Sequence, residues 1–311
     1  MKINEIKYLL NQYGIRPSKG KGQNFLINES VLAKIIKAAE LKKEDCVLEI
    51  GPGFGILTEE LIKQTKKVLC IELDKRLIFF LKKKFKGINN LEILDSDILR
   101  IKNEQISKLL DCQSAGYKVV ANLPYAITKP VLKKFLTFEP KPKEMVVLVQ
   151  KEVAQKIVAR PGQMSLLSLS VQVYGQPEII DYIPSENFYP QPAVESAILK
   201  IKLWPQFFAP ELKNVLKNDI KFEEKKFWQM VKFGFSSPRK QLQNNLAAGF
   251  KLDKNKIIKT LEVVGLDEKI RAQELSLSDW AFLYTQFLVW GVFCGIISLG
   301  SLLKQNSIFM L

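Results

Sequence analysis

The sequence predicts an α/β fold, a mostly parallel seven-stranded sheet covered by helices, followed by a small all-helical domain. Three observations carry this. Short apolar runs alternate with helical stretches between residues 46 and 159. A glycine-rich loop follows the first of these runs. Strand-like runs stop near Pro205, and only helical spacing follows. Apolar strands alternating with helices indicate a parallel sheet buried on both faces.

The elements are taken in chain order. Residues 1–27 hold five basic residues and one acid, and the stretch Pro17 to Gly22 is rich in Gly and Pro. They read as a flexible basic arm. CVLEI (46–50) is a buried strand, and Ile56 to Lys63 a helix. KVLCIEL (67–73) is a second strand, followed by a Lys-rich helix over 75–86. LEIL (91–94) and YKVVAN (117–122) are the third and fourth strands, with a helix from Lys129 to Phe138. MVVLVQ (145–150) is the fifth, with a helix over 151–159 behind it. EIIDYI (178–183) and residues 193–204 complete the seven. Phe227, Val231 and Phe235, spaced i, i+4, i+8, exemplify the helical remainder. The expected domains are the arm 1–27, a catalytic domain 28–205, a helical domain 206–287 and an apolar tail 288–311.

Composition narrows the function. The chain has 311 residues, enough for about two domains. With 47% hydrophobic residues it can bury a large core, which excludes general disorder. The 47 Lys+Arg against 32 Asp+Glu leave a net charge of +15, which favours a polyanionic partner such as nucleic acid or an anionic membrane surface. There is no histidine, so Ser-His-Asp and Cys-His catalysis and His-ligated metals are excluded. Cys46, Cys70, Cys112 and Cys294 form no CxxC pair. They suggest neither a zinc cluster nor a disulfide framework, and a reducing cytoplasm. The N-terminus lacks the apolar stretch and cleavage site of a secretory signal.

Gly51, Gly53 and Gly55 follow the first strand in the run EIGPGFGILT (49–58). Glycines at alternate positions allow a tight turn and close approach to a ligand. The spacing differs from the GxGxxG of dinucleotide binders. Glu49 stands two residues before the first glycine, where a pyrophosphate would be repelled but a cationic amino group welcomed. This points to S-adenosylmethionine rather than NAD. Glu72, at the end of the second strand, can accept both ribose hydroxyls. Asp97, after the third, can accept a bond from an adenine amino group.

The fourth strand ends in Asn122-Leu123-Pro124-Tyr125. This motif suits methylation of an exocyclic amine, whose lone pair is delocalised into the base. The Asn122 side-chain oxygen and the Leu123 carbonyl can accept its two N–H bonds and localise that pair. Pro124 fixes the turn and removes a competing donor. Tyr125 can stack on an extruded base.

These residues resemble the ribosomal RNA small-subunit adenine N6,N6-dimethyltransferases of the KsgA type. The likeness runs through GQNFL (22–26), EIGPGFGILT, IELD (71–74), DSDIL (95–99), NLPY (122–125), LVQKEVAQKIVARPG (148–162), FYPQPAVES (188–196) and FSSPRKQL (235–242), and covers about 285 residues. It implies a class I, Rossmann-like methyltransferase sheet with a helical C-terminal domain. It implies dimethylation of two adjacent adenosines near the 3′ end of 16S rRNA within an assembling 30S particle, by a cytoplasmic monomer. Cofactor contacts carry over onto Asn24, Leu26, Gly51, Gly53, Glu72, Asp97 and Asn122. Phe188 joins Tyr125 as an aromatic around the target base, and Arg239-Lys240 and the basic arm are expected on the RNA backbone. The alternatives are the sister enzymes that methylate large-subunit rRNA and confer macrolide resistance, and a non-catalytic RNA-binding assembly factor. The tail is a departure. Trp280 to Leu303 are 24 residues without a charge, long enough to span a bilayer. If Trp280–Phe287 ends the last domain helix, too few residues remain. A packed helix and a reading-frame artefact stay open, and neither a membrane partner nor a metal is expected.

Overall fold

A computed structural model describes residues 3–17, 22–112, 116–205, 209 and 222–292. They form two compact units, Met1–Gln155 with Gly175–Pro205, and Lys156–Tyr174 with Gln206–Leu311.

The first unit is built on a seven-stranded sheet. Its strands are β2 (Cys46–Ile50), β3 (Lys67–Glu72), β4 (Leu91–Asp95), β5 (Lys118–Asn122), β6 (Glu144–Gln150), β7 (Gly175–Ile183) and β9 (Ser196–Leu203), in the order β4-β3-β2-β5-β6-β9-β7. β2 to β6 run parallel, and β9 is antiparallel to both neighbours. Val47, Leu48, Val68, Leu69, Val119 and Val120 are fully buried, which is why these strands read as unbroken apolar runs. The chain first winds outward from β2 to β4. It then returns to place β5 on the other side of β2, and such a reversal opens a crevice at the strand C-termini.

The helices of this unit, in chain order, are α1 (Ile3–Gln12), α2 (Glu29–Ala39), α3 (Ile56–Gln64), α4 (Lys75–Lys84), α5 (Asn103–Leu110) and α6 (Thr128–Thr137). Next, α7 (Lys151–Ile157) crosses from the first unit into the second. The N-terminal segment departs from the expected flexible arm. α1 buries Ile6 and Leu10 against Phe54, Leu77 and Phe80. Its apolar residues recur at helical spacing, a pattern that counting basic residues hides. Further on, β1 (Phe25–Leu26) pairs with β8 (Phe188–Tyr189), so this part of the arm is also fixed to the unit. The arm residues 18–21 lie outside the described residues.

The second unit holds α8 (Leu166–Gln172), α9 (Glu224–Gly234), α10 (Leu242–Phe250), α11 (Lys254–Val263) and α12 (Leu277–Val289). Residues 156–174 belong here rather than with the sheet. The backbone N–H groups of Gly162 and Met164 donate to the Gln273 carbonyl at 2.9 and 3.0 Å, and Trp228 Nε1 donates to the Tyr174 hydroxyl at 3.2 Å. Trp280 and Phe287 of α12 are fully buried in this unit. Residues 293–311, which hold most of the expected apolar tail, lie outside the described residues. Among the described residues no helix is long and apolar enough to cross a membrane.

The expectation of no disulfide is corrected at one pair. Cys46 is bonded to Cys112, with Cα atoms 6.0 Å apart across a sequence separation of 66. Strand β2 and the end of α5 meet only in three dimensions, so spacing along the chain carries no sign of it. Cys70 is a buried free thiol, and Cys294 lies outside the described residues.

Candidate active site

A cleft opens where the strand order reverses. Asn24, Leu26, Glu49, Gly51, Gly53, Glu72, Asn122, Leu123, Pro124 and Tyr125 all line it. The fold thus brings four separate stretches of sequence to one crevice.

The glycine loop leads from β2 into α3. Gly55, with φ +73°, starts the helix, and a Cβ there would lie 2.6 Å from the Phe85 ring. No other residue fits that turn and that contact together. The loop therefore packs tightly on α4 while Gly51 and Gly53 leave its other side to the cleft.

Two buried carboxyls stand beside the loop. Glu49 is 2% exposed and accepts bonds from the Thr58 hydroxyl at 2.6 Å and the Cys70 thiol at 3.3 Å. Burial pushes its pKa up to about 7, and the nearby Glu72 adds to the rise. Glu72 accepts the backbone N–H groups of Leu73 at 2.8 Å and Asp74 at 3.0 Å. Burial still lifts it above the ordinary carboxyl range, against these bonds. A cleft holding two such groups gains by receiving a cation, which restores the favourable surroundings that burial removed.

Asn122 ends β5. Its Nδ2 donates to the Asn24 carbonyl at 2.9 Å. A carbonyl can only accept, so this bond orients the amide, with Nδ2 on Asn24 and Oδ1 free to accept elsewhere. Leu123 donates its own N–H to the Leu148 carbonyl at 3.2 Å. Among the described residues no donor takes the Leu123 carbonyl. Tyr125 shares a 2.6 Å hydrogen bond with the Ser196 hydroxyl, and burial keeps its phenol protonated beyond the ordinary range.

The Asn24 segment reaches this turn because of Gly22. Its φ is +64°, and a Cβ there would lie 2.9 Å from the Tyr125 backbone nitrogen. We expect Gly22→Ala to push the segment off the Asn122 turn and to lower the methyl-transfer rate about 10- to 100-fold, the cost of misplacing a positioning group. Single-turnover kinetics checks this, and a wild-type rate refutes it.

Two expected site residues have partners of their own. The Asp97 carboxylate accepts the Leu99 N–H at 2.9 Å and lies 3.5 Å from Arg100 Nε. Phe188 is 2% exposed and packs with Leu26, Ile183 and Ile198. Pairing of β8 with β1 turns Phe188 inward, while Tyr189 is half-buried with Lys7 5.6 Å from its ring centroid. Thr58 and Ser196, which hold Glu49 and Tyr125, were not singled out in the sequence. Both fall inside blocks that resemble the family, yet nothing local marks a hydroxyl as the partner of a residue on another strand.

The site fits S-adenosylmethionine. Buried carboxyls suit a cationic ligand, and glycines without Cβ atoms leave room for its close approach. Bound there, it supplies a methyl group on an already activated sulfonium. Among the described residues no cluster of three His, Cys, Asp or Glu side chains can hold a metal.

Known proteins share this sequence and fold. The family model described as ribosomal RNA adenine dimethylase matches residues 17–287. A ribosomal RNA small subunit methyltransferase A from Dehalococcoides mccartyi (strain CBDB1) is 44% identical over 283 residues, covering 91% of this chain and 92% of that protein. Its namesake from Halothermothrix orenii is 38% identical over 279 residues, covering 88% and 89%. The crystal structure of a dimethyladenosine transferase from Plasmodium falciparum superposes with a TM-score of 0.68 at 27% identity, covering 86% of this chain and 98% of that one. That of the 23S rRNA methyltransferase ErmE, at 24% identity and a TM-score of 0.66 over 85% and 99%, shares the fold. The chain therefore belongs to the ribosomal RNA adenine dimethylases, enzymes whose methyl donor is S-adenosylmethionine.

Proposed function

We propose that this protein transfers four methyl groups to N6 of two adjacent adenosines near the 3′ end of small-subunit ribosomal RNA, two to each base. It acts as a cytoplasmic monomer on an assembling 30S particle. The observation that carries this reading is the orientation of Asn122, whose nitrogen is taken by Asn24 and whose oxygen is left as an acceptor.

The adenine amine is a poor nucleophile until its lone pair leaves the ring system. Asn122 Oδ1 and the Leu123 carbonyl accept its two N–H bonds and draw the nitrogen toward tetrahedral geometry. Tyr125, braced by Ser196, offers its ring to the extruded base. The proton leaves to water after transfer, so the absence of histidine is no obstacle. Glu49 and Glu72 hold the donor in place through its amino group and its ribose hydroxyls. Arg239 and Lys240, both exposed, meet the phosphate backbone.

The relatives at 38–44% identity are named as small-subunit enzymes, which favours that substrate over large-subunit rRNA. The test is to incubate the protein with unmethylated 30S and 50S particles and labelled donor. Label is expected in 30S alone, as dimethyladenosine by mass spectrometry. Label confined to 50S would transfer the protein to the sister activity.

A further inference from the structure

The Lys-rich helix α4 has a face that the cleft does not use. Leu77 and Phe79 are two residues apart, so they project about 200° apart around the helix axis. Leu77 lines the cleft, whereas Phe79 is 65% exposed. A lone exposed phenylalanine needs no explanation, but this one is not alone. The half-buried Tyr13, just beyond α1, has its ring centroid 6.4 Å from that of Phe79. An edge contact with Phe80 at 5.3 Å holds Tyr13 there. Arg76 ties the two helices together, donating to the Gly14 carbonyl at 2.6 Å while its own charge is taken by Asp74. The two rings therefore sit on a rigid mount.

Positive charge surrounds them. Residues 75–86 contain no acid. Lys75, Lys82, Lys83 and Lys86 are exposed, and none is paired with a carboxylate among the described residues. Lys82 and Lys83 lie in the last turn of α4 and Lys86 just beyond it, a crowding of like charges that a bound polyanion relieves. Aromatic faces among unpaired lysines are the chemistry of single-stranded nucleic-acid binding, in which rings stack bases and lysines meet phosphates.

We propose that the outer face of α4, with Phe79 and Tyr13 as stacking platforms and Lys75, Lys82, Lys83 and Lys86 as phosphate contacts, is a second RNA-docking surface that grips an unpaired stretch of the substrate RNA outside the methylation cleft. The proposal rests on the reading of the cleft as an RNA methylation site and adds an anchor away from the reacting base.

The experiment uses the full chain, with Phe79→Ala, Phe79→Leu and Phe79→Trp and the double variant Lys82→Ala/Lys83→Ala. The measurements are donor affinity by calorimetry, KM and kcat on unmethylated 30S particles, oligouridylate binding by anisotropy against salt, and binding to vesicles containing one-third phosphatidylserine. Phe79→Ala is expected to raise KM about tenfold, with kcat and donor affinity within twofold of wild type. Phe79→Leu should behave like alanine, because it keeps apolar area without a ring face, and Phe79→Trp should restore binding. The lysine double variant should flatten the slope of log affinity against log salt by about 1 to 2. KM and oligouridylate affinity within twofold of wild type in Phe79→Ala, with the salt slope of the double variant unchanged, overturn the proposal. So does loss of binding to vesicles containing one-third phosphatidylserine, with RNA binding intact, which would assign the face to anionic lipid. Were the wild type to methylate neither particle, the reading of the cleft fails, and the oligouridylate arm still decides this surface.

Discussion

Asn122→Ala lowers the rate of methyl transfer by about 10²- to 10³-fold, the cost of removing one preorganised hydrogen-bonding group from a reacting centre. The argument has two parts. The amide oxygen is the side-chain acceptor available to the adenine amine, and the amide nitrogen holds the Asn24 carbonyl at 2.9 Å. Alanine removes both. Asn122→Asp separates them, because it keeps an acceptor for the amine but sets a carboxylate against the Asn24 carbonyl. If base activation dominates, the aspartate variant retains more of the rate than alanine; if the clamp on Asn24 dominates, the two are equally slow. Single turnover with 30S particles and labelled donor reads both variants. A rate in Asn122→Ala equal to wild type removes the base-activation argument.

Glu49→Gln stabilises the donor-free protein above pH 7 and weakens donor binding. In the native state the Glu49 carboxyl is pushed up to about 7, whereas its ordinary value is 4.5. Between those values the native protein binds more protons than the unfolded chain. Stability therefore falls as pH rises through this window and levels off above it. A rise of this size corresponds to about 3 kcal/mol. Urea unfolding at pH 5 and pH 8 should show the glutamine variant gaining on wild type by up to about 3 kcal/mol at the higher pH. Glu72 is raised as well and adds to the rise at Glu49, so the difference between variants reports Glu49 together with its coupling to Glu72. Donor affinity should rise with pH through the same window in wild type and lose that dependence in Glu49→Gln. An identical pH profile for both proteins would show that Glu49 keeps its charge throughout. Buried acids that cost stability without the donor and hold it when present trade folding free energy for binding.

The legibility of the fold follows from burial. CVLEI coincides with β2, and the other central strands differ by a residue or so at an end, because a parallel sheet covered on both faces demands unbroken apolar runs. Helices α2 and α5 are not among the expected elements, although each begins a few residues after a block that resembles the family. The basic charge of residues 1–27 masks α1, whose signal is the i, i+4 spacing of Ile6 and Leu10. In the cleft, Gly51, Gly53, Glu49, Glu72 and Asn122 were legible because each closes or follows an apolar strand, where the sheet must present it to the crevice. The local surroundings of Phe188 and Asp97 were not. A two-residue strand alternates its faces, and only its pairing with Phe25–Leu26, more than 160 residues away, decides that Phe188 rather than Tyr189 turns inward. Asp97 turns onto the Leu99 N–H, a local competitor that strand-end position does not reveal.

By itself, then, the sequence determined the sheet, the glycine loop and the chemistry of the NLPY turn, because apolar period, glycine spacing and residue type are local properties of the chain. The tertiary structure alone decided that Asn24 fixes the Asn122 amide, that Ser196 braces Tyr125, and that Cys46 meets Cys112. These contacts join residues 66 to 98 positions apart. They exist only once β2, β5 and β9 are packed into one sheet and the N-terminal segment has closed over its edge, since a side-chain hydrogen bond or a disulfide depends on distance in space and not on separation along the chain.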